Sequence, residues 1–328
     1  MKTLLRTLTE IPAPSGREDR IRAAVKEMIQ PYADEIRVDA LGNLIARKGK
    51  KAKGGKRVML AAHMDEIGII VSHVDANGYA RFSALGGLSP HRRLAARVKF
   101  LNGARGVVGL EREAETKERT PSLDRYYIDT GATSEKDSPV KVGDVAVFDS
   151  DFQDFGKRVV SKCLDDRAGV ALLIESLQNL RPGANEVWYA FTVQEEVGTR
   201  GAGPAAYGID PEVGLAVDVT LANDAPNARE RNPISLGGGP AVKVKDATVI
   251  SDPRVVEELT RLAEKNRVPH QFELLEMGGT DAGKMQMTGL GAQAGGIAIP
   301  LRHIHSPSEM VDMDDLENAG KLLALFLR

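Results

Sequence analysis

Apolar runs in this chain repeatedly end in polar side chains suited to chemistry. A run rich in β-branched and aromatic residues, 186–194, predicts a buried strand and ends in the acid pair Glu195 and Glu196. Three further runs, residues 57–62, 214–217 and 296–300, lead towards His63, Asp218 and His305. Because ligands in open α/β sheets bind outside the carboxyl ends of the strands, we expect these side chains to lie together.

A second acid pair, Asp165 and Asp166, directly precedes a predicted helix over residues 168–179. Taken alone, each polar group has an ordinary explanation. Acids are favoured at a helix N-terminus by the macrodipole, and exposed acid pairs and loop histidines are common. The repetition of the pattern at several strand ends favours one shared site instead.

The periodicity divides the chain into two domains. Helical spacing predicts helices over residues 1–10, 15–29, 253–266 and 314–327, and Ser15 with Glu18 has the capping-box pattern. Between them, short β-like runs alternate with turns, and a polar stretch over 111–122 predicts a loop. The pattern therefore predicts an α/β domain, residues 1–68 and 157–328, interrupted by a small all-β domain, residues 69–156.

Composition excludes several classes of protein. The chain has 328 residues, and 42% of them are hydrophobic, which is enough for a sizeable core. A net charge of −2 gives no basic surface for nucleic acid or an anionic membrane. Cys163 is the single cysteine, so neither an internal disulfide nor a cysteine-based zinc site is expected. Without a membrane-spanning run or a signal-peptide pattern, we expect a cytoplasmic protein.

The strand-end groups suit a metal centre. An all-oxygen set would suggest magnesium or calcium, whereas two imidazoles with three carboxylates suit zinc, cobalt or manganese. Five ligands exceed what one catalytic zinc uses, so we expect two divalent ions bridged by one carboxylate. The candidate ligands are His63, Asp165, Glu196, Asp218 and His305.

Two further carboxylates have candidate roles beside these ligands. Asp65 is two residues from His63, so on a strand both side chains face the same way and Asp65 can orient the imidazole. Glu195 is adjacent to Glu196 and can serve as the general base that takes a proton from a metal-activated water. The expected reaction is metal-assisted hydrolysis of an acyl bond.

Eight segments together resemble the tetrahedral or deblocking aminopeptidases, di-metal exopeptidases related to the bacterial leucyl aminopeptidases. They run nearly end to end through the chain and in the order of that family. The matching segments are 14–18 (PSGRE), 39–43 (DALGN), 62–68 (AHMDEIG), 164–169 (LDDRAG), 194–198 (QEEVG), 217–220 (VDVT), 278–282 (GGTDA) and 302–307 (RHIHSP).

The resemblance implies a zinc-exopeptidase-type three-layer catalytic domain with a mixed sheet and an inserted β-rich dimerisation domain. Carried over by position, it implies that Asp165 bridges two metal ions, with zinc the first choice, and is followed by a cis peptide bond. It assigns His63 and Asp218 to one ion, and Glu196 and His305 to the other. It also makes Glu195 the general base and Asp65 the residue that orients His63.

The expected function is hydrolysis of the N-terminal residue from short peptides by a homo-oligomer, with dimers assembling to a dodecamer. Two alternatives remain open at this point. One is another acyl hydrolase of the same metal clan, such as a carboxypeptidase or an N-acyl-amino-acid deacylase. The other is a non-catalytic scaffold on a peptidase fold. Relatives have also been labelled endoglucanases, but the paired carboxylates of sugar hydrolysis explain neither histidine.

Overall fold

The structure is a computed structural model that describes residues 1–117, 120–181, 183–228 and 233–328. The strands are β1 (Glu35–Val38), β2 (Leu44–Lys48), β3 (Arg57–His63), β4 (Gly68–Val74), β5 (Ala80–Leu85), β6 (Arg97–Phe100), β7 (Arg105–Leu110), β8 (Tyr126–Asp129), β9 (Val145–Phe148), β10 (Gln153–Asp154), β11 (Arg158–Ser161), β12 (Glu186–Thr192), β13 (Val213–Leu221), β14 (Ala241–Lys245), β15 (Gln271–Leu274), β16 (Gln293–Arg302) and β17 (Glu309–Asp312). The helices are α1 (Lys2–Thr9), α2 (Asp19–Ile29), α3 (Pro90–Arg93), α4 (Arg112–Lys117), α5 (Leu164–Asn179), α6 (Ala202–Ile209), α7 (Pro253–Lys265), α8 (Asp281–Gln286) and α9 (Met313–Phe326).

A mixed sheet forms the centre of the larger domain. Within the described residues it has eleven strands in the order β1-β2-β12-β3-β13-β16-β17-β11-β10, with β14 and β15 attached beside β16. The neighbours β12, β3, β13 and β16 run parallel to one another. Their carboxyl ends therefore lie at one edge of the sheet, which is where the polar groups of the sequence fall.

Alternating side chains along β3 separate the two faces of this sheet. Val58, Leu60 and Ala62 enter the main core, whereas Met59 and Ala61 enter a second core formed with α6 and α8. The two-residue period of a strand produces this division, so helices cover both faces. The result is the three-layer α/β architecture that the resemblance implied.

Helix α5 lies on the face of the sheet that carries Val58 and Leu60. It packs on β3 and β13 and against α1 and α9. Most of its residues are buried, around nearly the whole circumference of the helix, as expected of a helix that is apolar all round. Because α5 begins at the carboxyl edge of β3 and β13, it presents its first residues to the polar groups there.

The inserted region forms a closed antiparallel barrel in the order β4-β5-β8-β7-β6-β9. The barrel has its own apolar core, which includes Ile69, Phe82, Phe100 and Ile128. It lies between β3 and β11 in the chain, so the prediction of an inserted all-β unit is confirmed. The exact boundaries, residues 69–156 inside 1–68 and 157–328, stay a prediction, as does a role in dimerisation.

Three local predictions were wrong. Asp218 lies within β13 instead of after its end, because that strand continues to Leu221. Part of the stretch expected as a loop forms α4, while residues 118–119 of that stretch lie outside the described residues. Helix α2 begins at Asp19, and Ser15 does not cap it. The Ser15 hydroxyl instead donates a hydrogen bond to Asp65, so a tertiary partner replaces the local cap.

The basic segment 47–57 runs from the end of β2 through a turn to the start of β3, and β12 lies between these two strands in the sheet. Across the described parts of the chain, none of the helices is long and apolar enough to cross a membrane.

Candidate active site

Asp165 lies between two histidines at the carboxyl edge of the sheet. Its Oδ1 is 3.0 Å from Nε2 of His63, and its Oδ2 is 3.4 Å from Nε2 of His305. The chain leaves helical geometry at Asp165 and Asp166, and the peptide bond between them is cis, so that prediction is confirmed. The two oxygens of Asp165 therefore face two different imidazoles.

The other two predicted ligands complete the cluster on opposite sides of Asp165. Oε2 of Glu196 is 3.1 Å from Nε2 of His305, and Oδ1 of Asp218 is 3.9 Å from Nε2 of His63. The structure thus brings all five predicted ligands together. His303 is two residues from His305 in the chain. Its side chain is exposed, and the ring that enters the cluster is that of His305.

Burial makes it unfavourable for the carboxyl groups of this cluster to carry a negative charge. It raises the pKa of Glu195 well above its usual range and that of Asp218 to about 7. Burial opposes the charged form of His305, but hydrogen bonds with Asp165 and Glu196 raise its pKa to about 11. Several carboxylates held this close in a buried site repel one another unless a cation is shared between them.

The donor set fits divalent cations. Two groups have donor atoms that lie within 4.8 Å of one another, namely His63 with Asp165 and Glu196, and His63 with Asp166 and Asp218. In addition, Oε1 of Glu196 is buried and has no hydrogen-bond partner among the described residues. A buried, unpartnered carboxylate oxygen beside imidazoles is the arrangement that a metal ion satisfies. The residues present therefore fit a divalent cation.

Asp166 belongs to the second group by position, but both of its oxygens are already engaged. Its Oδ2 accepts a hydrogen bond from the backbone N–H of His63 at 3.2 Å, and its Oδ1 accepts one from Gly169 at 2.9 Å. Asp166 therefore ties the start of α5 to the end of β3. Asp165, not Asp166, is the acid of this pair that faces both histidines.

Asp65 holds the acid pair as well as the histidine. Its Oδ1 accepts the backbone N–H of Glu195 at 2.9 Å, and its Oδ2 accepts that of Glu196 at 3.2 Å. Nδ1 of His63 is 3.1 Å from the backbone carbonyl of Asp65 and 3.5 Å from its carboxylate. The closer partner of the imidazole is thus the main chain of Asp65, while its side chain fixes the Glu195–Glu196 backbone.

Sequence reasoning missed Glu309, at the start of β17. This fully buried carboxylate accepts the backbone N–H of Asp165 at 3.0 Å through one oxygen and that of His305 at 2.8 Å through the other. The only sequence signal was its position four residues after His305. The carboxylate holds two predicted ligands in place through their main chain.

The barrel also contributes a wall of the site. Gly86 and Gly87 follow β5, and Gly87 lines the same cavity as Glu195 and His305. A Cβ added at Gly87 would lie 2.6 Å from Nδ1 of His305. The close approach of this loop therefore requires the absence of a side chain.

The fold and this cluster define the class as a metal-dependent peptide hydrolase. The family model described as M42 glutamyl aminopeptidase matches residues 42–322, and the chain belongs to this family of aminopeptidases.

Individual relatives agree over almost the full length. A putative aminopeptidase of Acetivibrio thermocellus is 46% identical over 98% of this chain and 97% of its own. The solved structure of an aminopeptidase from the archaeon Desulfurococcus kamchatkensis is 39% identical, with a TM-score of 0.94 over 99% of this chain and 93% of its own. The TET1 peptidase of Pyrococcus horikoshii, described as able to assemble into a tetrahedron or a large octahedral shell, is 32% identical, with a TM-score of 0.87 over 99% of this chain and 98% of its own.

Proposed function

We propose that this metal-dependent aminopeptidase removes the N-terminal residue of short peptides and that Asp165 bridges a pair of metal ions. The position of Asp165 between His63 and His305 carries the proposal. In this assignment His63 and Asp218 complete one metal site, and Glu196 and His305 complete the other. Zinc is the first choice, and cobalt or manganese suits the same ligands.

The ions, when bound, supply Lewis-acid polarisation of the scissile carbonyl and favour ionisation of water. The chain's own contribution to the reaction centres on Glu195, which lines the cavity beside the ligands. Glu195 accepts a proton from the attacking water as the oxygen bonds to the carbonyl carbon. It then gives that proton to the leaving nitrogen as the carbon–nitrogen bond breaks, which restores its carboxylate. Asp65 keeps this acid in place through the backbone N–H.

Assembly and location form part of the same proposal. The relative from Pyrococcus horikoshii can assemble into a tetrahedron or a large octahedral shell, and the high structural similarity supports a homo-oligomer here, with dimers built through residues 69–156 and assembling to a dodecamer. Light scattering after gel filtration measures this assembly directly. The cytoplasmic location stays a prediction from the sequence.

The function is tested with aminoacyl-anilides and their N-acetylated counterparts. The protein is stripped of metal with a chelator and assayed after zinc, cobalt or manganese is added back. We expect hydrolysis that requires both an added metal and a free amine. Cleavage of only the acetylated substrates would instead indicate the deacylase alternative. Cleavage from the carboxyl end of peptides would indicate a carboxypeptidase. Absence of hydrolysis with every substrate would favour the non-catalytic scaffold.

A further inference from the structure

The catalytic cluster occupies one part of a larger cavity of about 1140 Å³. The same cavity extends to a second group of charged side chains, formed by Lys243, Asp246 and Glu273, which we term the acidic subsite. None of these residues belongs to the predicted metal centre. Lys243 nevertheless lies near it in the sheet, because β14 pairs with β16, which in turn pairs with β13, the strand of Asp218.

Adjacent strands build the acidic subsite. Lys243 on β14 is the direct cross-strand neighbour of Glu273 on β15, and Asp246 follows the end of β14. Nζ of Lys243 is 2.5 Å from Oε2 of Glu273 and 3.0 Å from Oδ2 of Asp246. All three side chains are almost completely buried. The lysine is therefore engaged by two carboxylates at once.

The acidic subsite keeps a net negative charge and one carboxylate oxygen that accepts no hydrogen bond. One lysine neutralises only one of its two acid partners, and Glu276 adds a third carboxylate to the cavity wall. Oε1 of Glu273 is buried and makes no hydrogen bond within the described residues. A buried carboxylate oxygen without a partner is costly, and a cationic donor from a substrate would satisfy it.

Apolar side chains also line this cavity. Leu221, Leu274, Met277 and Ile304 line the cavity together with the catalytic cluster and the acidic subsite. Among the residues that the structure describes along this cavity, Lys243 is the only lysine or arginine. A cavity that combines apolar side chains with negative charge suits a substrate side chain with a methylene stem and a cationic tip.

We propose that the acidic subsite receives the side chain of the substrate's N-terminal residue and selects lysine or arginine. The proposal rests on the aminopeptidase function given above. The substrate's methylene stem packs along the apolar wall, and its ammonium or guanidinium group donates a hydrogen bond to Oε1 of Glu273. Glu273 is thus a specificity residue that takes no part in the chemical step.

The first test uses the wild-type enzyme loaded with zinc, and matched pairs of aminoacyl-anilides. Norleucine has the lysine side chain without the amine, and citrulline has nearly the shape of arginine without its charge. We expect kcat/KM to be about 10- to 100-fold higher for the charged member of each pair, since this is the worth of a charge-assisted hydrogen bond.

The second test is Glu273→Gln, with Glu258→Gln on the surface of α7 as the control. Glu273→Gln is expected to lower the lysine-to-norleucine ratio of kcat/KM about 10-fold, because the amide lacks the negative charge. The control is expected to keep the wild-type ratio. Circular dichroism establishes that both variants are folded, and the wild-type pairs decide the proposal even if Glu273→Gln does not fold.

The outcomes separate this proposal from the proposed function. A wild-type ratio near or below one, or an unchanged ratio in folded Glu273→Gln, would overturn the cationic subsite while leaving aminopeptidase activity intact. Absence of hydrolysis for every free-amine substrate would instead count against the proposed function itself, and the subsite would fail with it.

Discussion

The carboxylate of Glu309 joins two predicted metal ligands by accepting the backbone N–H groups of Asp165 and His305, at 3.0 and 2.8 Å. These residues come from the start of α5 and from the loop after β16, which are distant in sequence. The buried carboxylate therefore sets the spacing between Asp165 and His305 through their main chain.

This relationship predicts the effect of Glu309→Gln. A glutamine has one carbonyl oxygen, so it can accept only one of the two N–H groups and turns an amide NH₂ towards the other. We expect metal affinity to fall about 10- to 100-fold, as for other groups that orient ligands. Metal content measured against chelator concentration provides the test, with Glu258→Gln as the control. Metal retention equal to the wild type in folded protein would contradict the role.

Substitutions of Glu195 and His63 are expected to reduce activity for different reasons. Glu195→Gln keeps the shape of the side chain but removes the base, so turnover should fall about 10²- to 10⁴-fold while metal content is unchanged. His63→Ala should lose metal, because it removes an imidazole that faces both Asp165 and Asp218. Activity assays paired with atomic spectroscopy distinguish the two effects. Full turnover by Glu195→Gln, or full metal content in His63→Ala, would refute the corresponding assignment.

Gly87→Ala tests whether the barrel shapes the active site. The added Cβ would approach Nδ1 of His305 to 2.6 Å, so the histidine or the loop must move. We expect kcat/KM to fall about 10- to 100-fold, because small displacements of positioned groups are costly. Gly203→Ala in α6 is the matched control, since its added Cβ meets nothing within 4 Å. If both variants keep wild-type activity, the barrel does not constrain His305.

Cys163 is expected to be chemically inert in the folded protein. Burial raises the pKa of its thiol to about 12, so almost no thiolate exists at neutral pH. Because it is the single cysteine of the chain, iodoacetamide labelling reports on it alone. We expect no labelling in the native protein and complete labelling in denaturant. Rapid native labelling with loss of activity would indicate an accessible, functional thiol.

The sequence alone determined the groups that meet at the site. Each predicted ligand follows or lies in an apolar strand, or precedes a buried helix, and these patterns are local. Parallel strands place their carboxyl ends at one edge, so the convergence of His63, Glu196, Asp218 and His305 could be predicted from their positions near the ends of apolar runs. The change from helical to short β-like spacing likewise revealed the inserted barrel.

Only the tertiary structure decided how those groups are held. Glu309, Asp166 and Asp65 act through backbone N–H groups of residues far away in the chain, and every residue except proline offers the same N–H, so no pattern marks the partner. The same reason explains why Ser15 binds Asp65 instead of capping α2. The pairing of Lys243 with Glu273 likewise depends on strand register, which becomes visible only once β14 and β15 lie side by side.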